Sequence, residues 1–195
     1  LERIRQVDPN ARITVLSRRP AETRRSYCVN SVNRFHPLAL ARTLAKGRVL
    51  VYGGGSLLQS ATSARSLFYY IWLLKLAKCA GIKTMLFANG IGPFVTARDE
   101  KRAASALESV DLITLRDKAS YESIKALGVR HENLYLSADP VFHMKGADKG
   151  WCTHLLARAG LAPGEQYFVI SLRAWRYLDR NFEEKFTRFC LAVKQ

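Results

Sequence analysis

The sequence predicts an α/β protein built on a parallel sheet with helices on both faces, and three observations carry that prediction. Short apolar runs such as Arg48–Tyr52 and Lys83–Ala88 alternate with longer segments of helical apolar spacing. Glycine clusters stand at the ends of those runs, at Gly53-Gly54-Gly55 and Gly90-Ile91-Gly92. The 195 residues, nearly half of them apolar, suffice to bury a real core.

Taken in order, Leu1–Val7 reads as a helix tail broken by Asp8-Pro9-Asn10, and Ala11–Ser17 alternates as a strand. Pro20–Tyr27 is expected as a short basic helix, Val29–Val32 as a strand, and Pro37–Lys46 as a helix ending at Gly47. Arg48–Tyr52 is a compact strand. Ser63–Ala80 is a long helix with apolar residues on most faces, so it should lie largely buried. Strands follow at Lys83–Ala88, Leu112–Leu115 and Leu134–Leu136, with helices at Thr96–Ser109 and Lys118–Leu127. Trp151–Ala159 reads as a helix stopped by Ala162-Pro163-Gly164. Tyr167–Leu172 reads as a new buried strand, and Phe182–Gln195 as an amphipathic helix without a stop signal. Alternation of this kind is Rossmann-like, with the sheet buried on both sides. The first residue is Leu1, and with the unfinished last helix it gives the expectation that both ends are cut.

Charge narrows the partners. Lys plus Arg outnumber Asp plus Glu by 31 to 16, a net of +15, and no acid occurs from Thr23 to Arg98. Such a field favours anionic partners such as phosphorylated small molecules, lipid headgroups or nucleic acid, although a basic surface can also serve solubility alone. The longest apolar run, Leu67–Leu74 extended to Cys79, is too short to cross a bilayer. No apolar segment of signal-peptide type precedes Ser17. Four scattered cysteines without a C-x-x-C pair argue against a zinc site or a disulfide framework, and suit a reducing cytoplasm.

Five segments carry candidate chemistry. Gly53–Gln59 (GGGSLLQ) follows a strand and precedes a helix, where backbone N–H groups approach an anion or a sugar closely. It is neither a dinucleotide fingerprint, since Leu58 replaces the third glycine and no acid follows at ribose distance, nor a P-loop. Asn89-Gly90-Ile91-Gly92-Pro93 sits on the ligand edge of the sheet, and the Asn89 amide suits a sugar hydroxyl. For both loops a purely structural role as tight turns is also open. Arg116 and Asp117 lie just past a strand, where Arg116 can grip a carboxylate or phosphate through two parallel bonds or pair with Asp117. Asp139, before Pro140, is expected chiefly to cap a helix or brace a loop. Arg173, with Arg176 close behind, follows the Tyr167–Leu172 run. His36, His131, His143 and His154 lack a partnered Cys, Ser or acid at useful spacing and are expected on the surface.

Together the segments VYGGGSLLQ, TSARSLFYY, ANGIGPF, DLITLRDKAS, LGV, SADPVF and ISLRAW, in this order and spacing over roughly residues 11 to 175, resemble the polysaccharide pyruvyl transferase family, especially its CsaB type. The resemblance implies a GT-B-like pair of Rossmann-like domains facing across a cleft. It implies transfer of the enolpyruvyl group of phosphoenolpyruvate onto two hydroxyls of one sugar, giving a cyclic ketal and phosphate; no cofactor is expected, and no residue is assigned to a metal. The implied acceptor is a β-linked N-acetylmannosamine of a lipid-linked cell-wall polysaccharide whose product anchors S-layers.

By the same resemblance, Arg116 and Arg173 are expected near the donor anions, and Gly54, Gly55, Ser56, Gln59, Asn89 and Gly90 near the acceptor sugar. The catalytic residue is unassigned, because the family's histidine is expected beyond Gln195. Two further departures stand out: the family's glycine-rich opening motif is not found, and Ser60 takes the place of an Asp that usually follows GGGSLLQ. The expected organisation is an N-terminal Rossmann-like domain over 1–143, a linker over 144–166 and the start of a second domain over 167–195, inactive as a fragment. The expected place is the cytoplasm, with peripheral contact at the inner, anionic face of the membrane; nucleic acid is not an expected partner, since no aromatic-interleaved basic repeat occurs. Two rival readings are a sugar-nucleotide glycosyltransferase of the same architecture and a basic anion- or membrane-binding module.

Overall fold

The computed structural model describes residues 1–162, 164–171 and 181–193. It divides into two compact units, Leu1–Met144 and Lys145–Gln195.

The first unit alternates helices and strands as α1 (Glu2–Val7), β1 (Thr14–Ser17), α2 (Pro20–Tyr27), β2 (Asn30–Asn33), α3 (Pro37–Ala45), β3 (Val49–Gly53), α4 (Ala64–Cys79), β4 (Lys83–Asn89), α5 (Ala97–Glu108), β5 (Leu112–Leu115), α6 (Lys118–Ala126) and β6 (Leu134–Leu136). Local chemistry explains the starts. Pro20 and Pro37 open α2 and α3, where the missing N–H costs nothing. Ser63, Thr96 and Asp117 cap α4, α5 and α6 by accepting from the backbone N–H three residues on. Asp99 and Glu100 add negative charge to the first turn of α5, where the helix dipole favours it.

Among the described residues all strand pairs are parallel, in two sheets: β1 with β2, and β3-β4-β5-β6 in sequence order. The fold is therefore α/β with parallel sheets alternating with helices. Leu58, Leu67, Leu74, Leu86, Leu107, Ile113 and Leu115 are fully buried at its centre. Burial of each such side chain contributes about 1.5–3 kcal/mol relative to exposure.

Three expectations change. Sequential strand order with right-handed crossovers places α4, α5 and α6 on one face of the larger sheet. That face, with Tyr52, Leu86 and Ile113, is buried, whereas the opposite face leaves Val49, Val51, Phe87 and Tyr135 exposed, so the sheet is not covered on both sides. For the same reason α4 buries Leu67, Ile71, Leu73, Leu74 and Ala77 but exposes Phe68 and Trp72. The Arg102 guanidinium lies 4.8 Å from the centroid of the Phe68 ring.

In the second unit, α7 (Lys149–Arg158) is capped by Asp148, and α8 (Phe182–Val193) stacks Phe182 on Phe186 at 5.9 Å. The strand expected at Tyr167–Leu172 is not formed over residues 167–171, and Leu172 lies outside the described residues. A strand is held by its ladder, and among the described residues of this unit no second strand accompanies it.

Candidate functional site

The loops after β3, β4 and β5 meet at the carboxyl ends of these strands, the edge where open parallel sheets bind ligands. They are strapped together by backbone bonds. Gly54 N donates to Phe87 O at 2.8 Å, Gly90 N to Gly55 O at 2.8 Å, and Gly92 N to Leu58 O at 2.9 Å. Ser60 extends the strap: its N–H reaches Pro93 O and its hydroxyl accepts from Val95 N at 2.8 Å. Thus Ser60, at the position where the resemblance expects an acid, is a buried brace.

Gly54 and Gly55 adopt left-handed φ values of 67° and 71°, a conformation that costs other residues about 1–2 kcal/mol each. The turn they make leaves the N–H groups of Gly55 and Ser56 without an acceptor among the described residues. Gln59 is used locally, with Oε1 accepting from Thr62 N at 3.0 Å and Nε2 bonded to Thr62 Oγ1.

Asn89 is wholly buried, although the sequence suggested a sugar contact. A bulge between Leu86 and Asn89 explains its direction. Ala88 takes a positive φ of 49°, and its N–H bonds to Thr114 Oγ1 at 2.7 Å instead of a ladder carbonyl. The Asn89 amide then donates to Tyr52 O at 2.7 Å and Phe87 O at 3.1 Å, tying β3 to β4, while its Oδ1 has no partner. Such an orphaned buried oxygen is rare and marks strain or a missing ligand contact.

Arg116 is at the centre. It follows the buried Leu115, its N–H bonds to Asn89 O at 3.3 Å, and Asp117 begins α6 immediately after it. Its Nε donates to Asp117 Oδ2 at 3.1 Å, Nη1 to Asp139 Oδ2 at 3.4 Å and Nη2 to Ser56 Oγ at 3.3 Å. The side chain remains 32% exposed. A Cβ on Gly90 would overlap Ser56 Oγ and press on Arg116 Nη2 at 3.2 Å, so only glycine lets the guanidinium lie against this loop. Ser120 hydrogen bonds, assisted by the Arg116 charge, hold the Asp117 carboxyl below its usual range, so it is ionised at neutral pH.

The geometry thus brings together Ser56, Asn89, Gly90 and Arg116 with Gly54 and Gly55, and leaves Gln59 to its own turn. Arg173 and Arg176 lie outside the described residues. Both readings of Asp139 meet here: it caps the 3-10 turn Pro140–His143 by accepting from Val141 N, and it pairs with Arg116. Ser120, which binds Ile91 N at 3.0 Å and joins α6 to the second loop, was not anticipated. Only its place three residues after the capping Asp117 could have signalled it. His131, expected on the surface, is half-buried: its Nε2 donates to Val110 O at 2.7 Å and its Nδ1 accepts from Asn133 N. Among the described residues no group of three or more His, Cys, Asp or Glu side chains could hold a metal, and no helix is long and apolar enough to cross a membrane.

Chemically, the site offers two free backbone donors, a hydroxyl, and a guanidinium shared between two carboxylates. Such a set can orient hydroxyls and exchange one carboxylate partner for an incoming anion. Searches of curated proteins and of solved structures each returned no match. The family model described as polysaccharide pyruvyl transferase matches residues 1–188, and the chain therefore belongs to the polysaccharide pyruvyl transferase family.

Proposed function

We propose that this chain carries the donor- and acceptor-binding edge of an enzyme that forms a cyclic pyruvate ketal on a sugar from phosphoenolpyruvate. In that reaction C2 of the enol ester gains bonds to two sugar oxygens and loses its bond to the phosphate oxygen. One hydroxyl proton ends on C3 and the other on the departing phosphate. The acceptor is a β-linked N-acetylmannosamine of a lipid-linked cell-wall polysaccharide, and the enzyme is of the CsaB, S-layer-anchoring type. The reading extends to architecture: residues 1–143 form the first Rossmann-like half of a GT-B-like pair, 144–166 the linker and 167–195 the start of the second half.

The observation that carries the reading is Arg116. A partly exposed guanidinium at a strand tip, lying against a glycine loop and beside two unused backbone N–H groups, suits a small doubly anionic donor. Asp117 and Asp139 offset its charge before the donor arrives. Asp139, the longer of the two pairings, is the partner the donor carboxylate or phosphate displaces. Arg173 supplies the second cation. Gly54, Gly55, Ser56, Gln59, Asn89 and Gly90 shape the acceptor side, with Asn89 acting from beneath the loop.

Calorimetric titration tests this directly. The chain is expected to bind phosphoenolpyruvate and not uridine-diphosphate sugars, and Arg116→Ala to weaken the donor about tenfold or more. In the complete enzyme the same change is expected to raise KM for the donor or lower kcat by a similar factor. Tight nucleotide-sugar binding without phosphoenolpyruvate binding would replace the reading with glycosyl transfer.

A further inference from the structure

A second cationic hollow lies away from the glycine loops, at the amino ends of β1 and β2. It has a volume of about 380 Å³, and Arg5, Arg12 and Arg24 line it together with Cys28 and Asn30; none of its described lining residues is acidic. Two of the arginines are held in place by neutral partners. Arg5 Nη2 donates to Cys28 O at 2.9 Å, and Arg24 Nη1 donates to Ser31 O at 2.8 Å. Each bond uses one of the five N–H groups of a guanidinium, so it orients the charge without cancelling it. Cys28, the left-handed residue that ends α2, turns its carbonyl to Arg5. Fastening α1 and α2 to β2 accounts for Arg5 and Arg24. It does not account for Arg12, which has no hydrogen-bond or ion-pair partner among the described residues and completes the ring of like charge.

Among the described side chains no acid is ion-paired with any of these three arginines. Glu22 of α2 is paired with Arg19, and Asp8 accepts from Asn10 N in its own turn. Asp111 serves Lys78 and Lys83, while Asp117 and Asp139 serve Arg116. Three arginines lining one open hollow without a described carboxylate suit a phosphate, and the volume admits a phosphate with a small organic substituent. We propose that the Arg5–Arg12–Arg24 hollow binds the phosphate group of a ligand, as a site separate from the one at the carboxyl ends of β3, β4 and β5.

The phosphate belongs either to a soluble molecule or to a lipid headgroup, and two probes separate these sources. Inorganic pyrophosphate is titrated into the protein by calorimetry at low ionic strength. Co-sedimentation is measured with vesicles of phosphatidylcholine containing phosphatidic acid. Arg12→Ala removes no described bond of the fold, and Arg19→Ala removes one positive charge of the same unit outside the hollow, at the start of α2. Pyrophosphate affinity lowered about tenfold or more by Arg12→Ala, retained by Arg12→Lys and unchanged by Arg19→Ala, supports a soluble phosphate ligand. Vesicle binding lost with the same selectivity, without pyrophosphate binding, supports a headgroup. Arg12→Ala binding both probes like the wild type, equal losses from both alanine variants, or no binding of either probe by the wild type, overturns the proposal.

Discussion

At the scale of single residues, close approach is what shapes the site. Gly90 lies so near Ser56 and Arg116 that a methyl group must push the serine hydroxyl aside and break its bond to the guanidinium. Gly90→Ala is therefore expected to destabilise the protein by about 1–3 kcal/mol, the usual cost of overpacking. Under the proposed function it should also weaken phosphoenolpyruvate binding, as expected for Arg116→Ala. Chemical denaturation together with donor titration would separate the two effects, and an unchanged donor affinity would disconnect Gly90 from the site. The placement of Arg116, Gly54 and Gly55 just past strand ends was legible in the sequence, because short apolar runs and glycine clusters mark where strands stop. The inward turn of Asn89 was not legible. It depends on the positive φ of Ala88 and on Thr114, a residue 26 positions away, supplying the acceptor for the Ala88 N–H.

At the scale of elements, Asp111 joins three of them. Its carboxylate, just ahead of β5, accepts from Thr84 N at 2.8 Å and Thr84 Oγ1 at 2.9 Å in β4, and pairs with Lys78 of α4 and with Lys83. Burial pushes its pKa up, but the Thr84 bonds and the two lysines outweigh that and hold it well below the ordinary 3.8. A carboxyl whose pKa is depressed by folding contributes its stability above the unfolded value and loses it as pH falls through the folded one. Acid unfolding below about pH 4 is thus expected to include Asp111. Asp111→Asn should cost about 1–3 kcal/mol at neutral pH and reduce the loss of stability on acidification. Denaturation midpoints measured across that pH range check both; equal acid sensitivity in the variant would remove Asp111 from the account. Helix starts were readable to within a residue or two from proline and capping signals. The run at 167–171 was not, because apolar, β-branched sequence states a preference and only a neighbouring strand makes a ladder.

At the scale of the whole molecule, charge is segregated. Of the acids that follow Arg98, Asp111, Asp117 and Asp139 pair with Lys78, Lys83 and Arg116, and no described acid pairs with the arginines at the amino ends of β1 and β2. Protection should be segregated too. Amide hydrogens of β4, paired on both sides, are expected to exchange orders of magnitude more slowly than those of 167–171, which have no ladder. Hydrogen-exchange mass spectrometry resolves the two segments, and comparable rates would contradict the assignment.

The sequence by itself determined the α/β class, the order of elements in the first unit and the membership signalled by its loops, because periodicity, capping and glycine placement are local properties of the chain. Only the tertiary structure decided that Arg116 stands between two carboxylates, that Asn89 points inward and that one face of the larger sheet stays open. Those outcomes depend on which distant residues meet and on the hand of each crossover, and no local pattern records them.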